Sequence, residues 1–447
     1  MNYNLLLIGI LWSSCATAQT TLTLSEAIQR GLENNYQIRI AANELEVAQN
    51  NNDYALTQKY PTITVGLSPG VTYRDQSNPA SVVVQSRTTG YNIAPVVSLD
   101  WLLFNGGRVE INKKRLETLA DLSTGQLQLQ VENTVQDIIN AYYNAVVQRE
   151  QIDVRQRVLA LSRDQIEYQQ VRREFGQGGT FDELQARDAY LTDSSALVVQ
   201  RVNYRNAVRN LLQVMGSDNL NQEVELVDDL EYDPADYDAV QLENQLLTTN
   251  RNLQNLLVNR DLAALQTRLI ETEMRPRIGI SASTSYDIGV SVGTQTFEFG
   301  GDQPGREQEL PGIANRALIG NVGVTASYLL FDGRNRRVRA QSSQLQEITA
   351  QLDYQAARQE LRAALLNTLT LYESQAEIID ITEDLIANAE RNLQIAEERF
   401  RGGTINSFDY RLVQVAYINA ENQLLNALLD LKNTETELLR VTGQIVR

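Results

Sequence analysis

The chain of 447 residues has no histidine and a single cysteine. Histidine most often moves protons near neutral pH and most often ligates transition metals, so its absence removes the commonest catalytic and metal-binding chemistry. Cys15 lies within residues 1–18, which read as a secretory leader. Leu5 to Trp12 is a short apolar core, and Ala16-Thr17-Ala18 is a small-x-small cleavage site. Trp12-Ser13-Ser14-Cys15 admits a second reading, a lipoprotein site with Cys15 lipidated. Cleavage after Ala18 leaves no thiol, and therefore neither disulfide nor thiolate chemistry. There is also no Gly-x-x-x-x-Gly-Lys phosphate loop. The chain is expected to be no enzyme and to hold neither cofactor nor metal.

Positive charge is scarce: 39 Lys and Arg stand against 56 Asp and Glu, a net charge of -17. A nucleic-acid partner needs a basic face, so none is expected. Long apolar runs are absent too. Beyond the leader no segment approaches the roughly 18 uncharged apolar residues of a membrane helix, so any crossing of a membrane has to be made by strands.

What is present is periodic. Arg108 to Phe175 contains no proline and one glycine, Gly125, and Leu127, Val131, Val135, Ile138 and Tyr142 form an apolar stripe at spacings of three and four. This predicts one helix of about 100 Å, ended by Gly176-Gln177-Gly178-Gly179-Thr180. A second rod, Arg334 to Phe400, ends at Arg401-Gly402-Gly403-Thr404. A helix over 22–57, started by Ser25 and Glu26, precedes Tyr60-Pro61; a helix over 239–274 precedes Arg275-Pro276. Each is followed by two segments alternating apolar with small polar residues, about 11 to 14 residues long, with loops at 75–90 and 293–316. Pro69 and Pro95 suggest bulges. Short helices follow the glycine turns.

Trp101-Leu102-Leu103-Phe104-Asn105-Gly106 matches Tyr328-Leu329-Leu330-Phe331-Asp332-Gly333, and Met215-Gly216 matches Thr442-Gly443, both at an offset of 227. One unit is thus written twice. The expected organisation is residues 19–216 as repeat 1, 217–238 as an acidic, solvated equatorial linker, and 239–447 as repeat 2. The linker lacks the ligand spacing of a calcium loop.

The second faces of the strands are almost entirely Gly, Ser, Thr and Asn, which leaves room for water rather than a packed core. Four strands cannot close a barrel, and lipid does not tolerate an open edge, so several chains have to contribute. Two would give eight strands and a filled interior; three give twelve and an aqueous lumen, the reading preferred here. The fold class is therefore mainly α with transmembrane β: four spanning strands per chain, twelve in a trimer, continuing into a long helical barrel. In each copy the two short helices together match one rod in length, and stacked end to end they form a second column.

Leu22-Thr23-Leu24-Ser25-Glu26-Ala27-Ile28 with Asn34-Asn35, the Leu-Phe-x-Gly motifs and the Gly-Gly-Thr turns resemble the TolC-like family of Gram-negative outer-membrane efflux proteins, across essentially the whole mature chain. The resemblance implies a homotrimeric duct in the outer membrane with a large periplasmic extension. It would serve tripartite efflux or type I secretion, docked to a periplasmic membrane-fusion adaptor and an inner-membrane pump of the RND, ABC or MFS type. It further implies that Gly178, Gly179, Thr180 and their counterparts Gly402, Gly403, Thr404 form the docking tip, and that Asp409 rings the entrance. Asp182 and Glu183 are possible substitutes in the first copy. The plainer readings are turn chemistry for the glycines and helix-dipole stabilisation for the acids.

Basic residues open both rods: Arg108, Lys113, Lys114 and Arg115, then Arg334, Arg336, Arg337 and Arg339. Cations oppose the helix dipole there, so lipid phosphates are expected to compensate them, with Trp101 and Tyr328 beside them at the membrane interface. Long paired helices alone would also suit a periplasmic coiled-coil scaffold or adaptor without a pore. The polar-faced strands argue for the duct.

Overall fold

The computed structural model describes residues 20–231, 233, 235–298 and 305–446, so the leader, Cys15 and Ala18 lie outside the described residues. The elements run β1 (Thr20–Leu22), α1 (Leu24–Asn34), α2 (Tyr36–Asn51), a short 3-10 turn, β2 (Thr62–Ser77), β3 (Val83–Asn105), α3 (Arg108–Glu174) and α4 (Thr180–Val214). Then come β4 (Val224–Leu226), α5 (Ala239–Thr249), α6 (Arg251–Thr272), β5 (Arg277–Phe297), β6 (Arg306–Ser327), α7 (Asn335–Arg401) and α8 (Ser407–Val441). The rods α3 and α7 have 67 residues each, and α4 and α8 have 35 each.

The duplication does not keep one offset throughout. Arg108 and Asn335, and Thr180 and Ser407, start equivalent helices 227 residues apart, but Leu24 and Ala239, and Thr62 and Arg277, are only 215 apart. The second copy thus gains its extra residues within its hairpin, where lengthening costs little loop entropy.

The helices expected over 22–57 and 239–274 are interrupted at Asn35 and Asn250; in the first, Leu22 belongs to β1 and Tyr54–Thr57 form the separate 3-10 turn after α2. The Asn35 side-chain oxygen accepts from the N–H groups of Gln37 (2.8 Å) and Ile38 (3.2 Å), starting α2, while its Nδ2 donates to the carbonyl of Val214 (2.7 Å), the last residue of α4. Asn250 repeats this: its Oδ1 accepts from Leu253 N–H (3.0 Å), and its Nδ2 donates to Val441 O (2.8 Å) at the end of α8. One amide satisfies the orphan groups of two helix ends. A Cβ on Gly216 would lie 2.5 Å from Asn34 O, and one on Gly443 would lie 2.9 Å from Thr249 O. The ends of α4 and α8 thus meet the starts of α2 and α6 in the middle of the helices expected over 22–57 and 239–274, so α1 and α5 are not part of an end-to-end stack of rod length. Thr23, rather than Ser25, caps α1 by accepting from Glu26 N–H.

By contacts the chain forms two units: 1–44, 124–255 and 355–447 in one, 45–123 and 256–354 in the other. In the first, the acidic stretch is no free linker. Its β4 pairs in parallel with β1, and Asp228 accepts from Leu24 N–H (2.6 Å) and the Tyr142 hydroxyl (3.0 Å). Arg149 binds Asp229 (2.8 Å) and donates to Leu226 O (2.5 Å). A three-residue strand among acids has no periodicity to betray it. Below it Leu22, Ile138, Tyr142, Leu211 and Leu226 form a core, and burial pushes the Tyr142 phenol up to about 12.

The second unit holds an antiparallel sheet in the order β2-β3-β5-β6. Its strands, of 16, 23, 21 and 22 residues, outrun the expected length, and most of the loops expected at 75–90 and 293–316 is ladder. That outer ladder is polar on both faces and is held by pairs such as Asp75 with Arg87 (3.2 Å), so the alternation that marks a strand fades. The β2–β3 register runs through Pro69 and Pro95 without a bulge; Pro69 lies on the edge strand β2, and at Pro95 of central β3 the pairing with β5 skips Ala94 and Pro95. Shifts fall instead between Val83 and Gln85, Leu102 and Phe104, and Ser291 and Val292.

Directly paired residues share a face. Ile63, Leu99, Ala282 and Val322 form a row on one side; Thr62, Asp100, Ser281 and Gly323 form the next row on the other. The apolar face is bare, with Val65 75% and Val322 83% exposed. No helix among the described residues is long and apolar enough to cross a membrane.

Gly216 and Gly176 share the left-handed conformation, φ +74 and +72, but Gly176 has nothing within 4 Å of a built Cβ. Gly176→Ala should cost about 1 kcal/mol of backbone strain alone. Gly216→Ala must in addition displace the α1–α2 joint. Thermal unfolding followed by circular dichroism should place its midpoint several degrees below that of Gly176→Ala.

Candidate functional site

Both rods end in the same cap. Gln177 N–H reaches Arg172 O (2.8 Å), and Thr404 N–H reaches Arg399 O (2.8 Å), across left-handed Gly176 and Gly403. These are Schellman caps, which favour glycine at the left-handed position. The geometry corrects the pairing of the two turns: Gly403 corresponds to Gly176, not to Gly179. Gly178 and Gly179 lie after the cap, with Gly179 the extended N-cap residue of α4, which begins at Thr180. Gly402 is the residue before the cap glycine, and Thr404 also donates from Oγ1 to Arg399 O (3.0 Å).

The acids beside the turns differ. Asp409 is exposed in the first turn of α8; its N–H is capped by Asn406 Oδ1 (2.9 Å), and its carboxylate has no partner among the described residues. Asp182 is half-buried, likewise without an ion-pair partner among the described residues. Glu183 is committed to Arg173 (2.5 Å) in the last turn of α3.

Behind the turns the two copies are clasped together. The Tyr168 hydroxyl donates to Arg401 O (2.9 Å), Gln169 to Ser407 Oγ (2.9 Å), and Phe400 stacks on Tyr410 at 4.9 Å. Buried Asp193 takes a bidentate pair from Arg411 (2.6 and 2.7 Å) and a hydrogen bond from Ser162 (2.5 Å), joining α3, α4 and α8. Sequence reading missed this clasp. The available signal was a charged residue at a seam position: Asp193 lies seven residues from buried Ala186 and from buried Gln200.

In the other unit, the basic residues at the rod starts are largely neutralised within the chain. Glu273, at the end of α6, pairs with Arg108 (3.4 Å) and with Arg339. Arg336 pairs with Asp332 (2.8 Å) and donates to Glu273 O (3.0 Å) and Leu329 O (2.6 Å). The Arg336 backbone N–H, then its guanidinium, hold the Asp332 carboxyl below its ordinary range. Lys113 and Lys114 share Glu117. Compensation of the helix dipole by phosphates at Arg108 and Arg336 is thereby corrected, because Glu273 and Asp332 supply the negative charge. Arg334 and Arg337 stay exposed and unpaired among the described residues. Trp101 donates from Nε1 to Lys59 O (3.0 Å), and Tyr328 is exposed just after β6.

Gly289-Val290-Ser291-Val292-Gly293 spells the nucleophile elbow of hydrolases, but it lies within β5 and not at a strand-to-helix turn. With no histidine to activate Ser291, it carries no chemistry.

A family model for outer membrane efflux proteins matches residues 27–217 and 242–444. The chain is 23% identical over 444 residues to the outer membrane efflux protein BepC of Brucella suis biovar 1 (strain 1330), covering 98% of this chain and 89% of that one. Its fold is similar to that of the Campylobacter jejuni CmeC outer membrane channel, with a TM-score of 0.76 at 13% identity, covering 94% of this chain and 85% of the other. It is also similar to the Neisseria gonorrhoeae MtrE outer membrane channel in its open state, with a TM-score of 0.67 at 17% identity over 95% and 89% of the two chains. Nothing in these likenesses favours a scaffold without a pore. Members of the matched family generally act as trimers with adaptor and inner-membrane pump partners. The chain belongs to the outer membrane efflux protein family: it is an exit duct of the outer membrane with a periplasmic extension, a conduit and not an enzyme.

Proposed function

We propose that three copies join β2 of one chain to β6 of the next, closing a twelve-stranded barrel around water. The observation that carries this reading is the sheet itself, which has two open edges, an exposed apolar face and a face of small polar residues. Edge backbone groups in lipid would each cost several kcal/mol if left unpaired. The helices support the same assembly. In the first unit α4 exposes Leu184, Leu191 and Val198, and α7 exposes Leu371, Ile378, Ile381 and Leu385. Both stripes have coiled-coil spacing and lack a partner, as seams between neighbouring subunits would.

In this reading the glycine turns, Gly178-Gly179-Thr180 and Gly402-Gly403-Thr404, meet the membrane-fusion adaptor, and the pump is of the RND, ABC or MFS type. Asp409, repeated three times about the axis, narrows the entrance as a ring of carboxylates. Asp182 is free to join it, whereas Glu183 is held by Arg173. Arg334 and Arg337 are the cations left for lipid phosphates beside Trp101 and Tyr328.

Protein extracted in detergent from outer-membrane fractions is expected to have trimer mass by light scattering and to conduct in planar bilayers. Recovery as a soluble monomer would overturn the duct. Asp409→Ala should weaken cation block in single-channel recordings, and unchanged block and selectivity would count against the ring. Nothing lies within 4 Å of a side chain added at Gly403, but its φ of +71 means Gly403→Leu carries about 1 kcal/mol of cap strain, too little to prevent assembly; the variant should keep trimers intact while abolishing export in cells. Export that survives the change would remove docking from that turn.

A further inference from the structure

Near the rods the two hairpins keep one register up to the same row and then part. The β2–β3 ladder ends where Thr62 pairs with Asp100, and the β5–β6 ladder ends at the equivalent row, where Arg277 pairs with Ser327. Past that row β3 stays a strand through Asn105, because β5 pairs with it there, Trp101 opposite Ile280 and Phe104 opposite Ile278. The matching segment Tyr328-Leu329-Leu330-Phe331 lies just beyond β6 and has no ladder partner among the described residues. Phe104 is 42% exposed, and its counterpart Phe331 is 79% exposed.

The turns that follow show the same difference. Gly106 and Gly107 are left-handed, φ +72 and +85, and Gly333 and Arg334 repeat that backbone at +68 and +72. A Cβ on Gly106 would lie 2.6 Å from Thr272 O at the end of α6, whereas one on Gly333 meets nothing within 4 Å. The surface that α6 and β5 offer to β3 nevertheless has a copy in the first repeat. Thr272 donates from Oγ1 to Leu269 O, and Thr57 donates from Oγ1 to Tyr54 O, both at 2.7 Å and both shortly before the first strand of their repeat. That copy leads into β2, which is the opposite edge of the sheet from β6. The chain therefore carries one half of a second such joint at each edge.

We infer that β6 of one subunit meets β2 of the next in the register of the β3–β5 joint: Tyr328 pairs with Val65 of the next subunit, Leu329 with its Thr64 and Phe331 with its Ile63, so that 328–331 becomes strand on assembly. The inference rests on the trimer proposed above and supplies its strand register. The pairs follow from moving Trp101 with Ile280, Leu102 with Gly279 and Phe104 with Ile278 by the two repeat offsets. The faces agree as well. Tyr328 extends the apolar row of Val322, and Val65 lies on that same side of β2, whereas a slip of one residue would set apolar against polar faces. In this register Gly333 receives the Thr57 carbonyl of the next subunit, as Gly106 receives that of Thr272 within the chain.

The test is disulfide formation between introduced cysteines in the purified full-length protein. Tyr328→Cys with Val65→Cys, and Leu329→Cys with Thr64→Cys, occupy paired positions, whose Cα separation of about 4.5 to 5.5 Å a disulfide can bridge. Ser327→Cys with Gly66→Cys reads the adjacent row and leaves 328–331 unaltered. Tyr328→Cys with Ile63→Cys or with Leu67→Cys is slipped by two residues, to about 7 to 8 Å. Within one chain β3 and β5 separate β2 from β6, so a bridge has to join two subunits. Light scattering first checks the trimer mass of the wild type and of each reduced variant. After oxidation the in-register variants should run on denaturing gels as covalent trimers that a reductant dissolves, and the slipped variants as monomers. Trimers that bridge only when slipped, equally in every variant, or in none would overturn the register while the duct stands. Wild-type protein found as a monomer would overturn the duct and the register together.

Discussion

The constraint on which the rest depends is the hydrogen-bonding demand of a backbone placed in lipid. Four strands carry their ladder partners through β3 and β5, but β2 and β6 each present an outer edge. In water such an edge is tolerable; in hydrocarbon it is not. The same strands bear Ile63, Val65 and Val322 on a face that no described element covers. A chain with these two properties is incomplete by itself, and in the trimer proposed above further copies of the same surface complete it. Repetition around an axis supplies them without any new sequence.

Duplication within the chain applies the same economy to the helices. Asn35 and Asn250 each end one helix, start another and take the last carbonyl of a third. An amide suits this position because it donates and accepts at once, whereas a carboxylate would leave the carbonyl of Val214 or Val441 unsatisfied. The left-handed glycine after α4 and after α8 lets the incoming helix approach backbone to backbone. A joint of this kind ties the start of one helix to the end of another distant in sequence.

The rods, the glycine turns, the alternating strands and the two copies were legible because each is a periodic signal sustained over many residues. What stayed hidden was short or paired. Asn35 and Asn250 sit in continuous helical patterns, and only their long-range partners reveal the breaks. β4 is three residues among acids. The outer ladder past Tyr73 is largely polar on both faces, so strand and loop look alike there. At the collar, Arg108 and Arg336 looked like cations awaiting a phosphate because Glu273 lies far away in sequence. The glycines after the rods were legible as turns, but matching their Gly-Gly-Thr triplets put the pairing off by three positions, whereas the offset of 227 joins Gly176 to Gly403, the two of positive φ.

The distribution of paired and unpaired charge argues for a wet interior more strongly than composition does. Where side chains pack, charge is met by charge: Asp193 by Arg411 in the first unit, Arg108 and Arg339 by Glu273 and Arg336 by Asp332 in the second. Burying any of these carboxylates alone would be costly, and the chain supplies a guanidinium each time. Among the described residues Asp100 and Asp287 receive none, although the opposite face of the same strands supplies Arg87 to Asp75. Their only remaining source of solvation is water on the polar face of the sheet. In the trimeric duct proposed above, the face that holds them is the one turned to the water of the lumen.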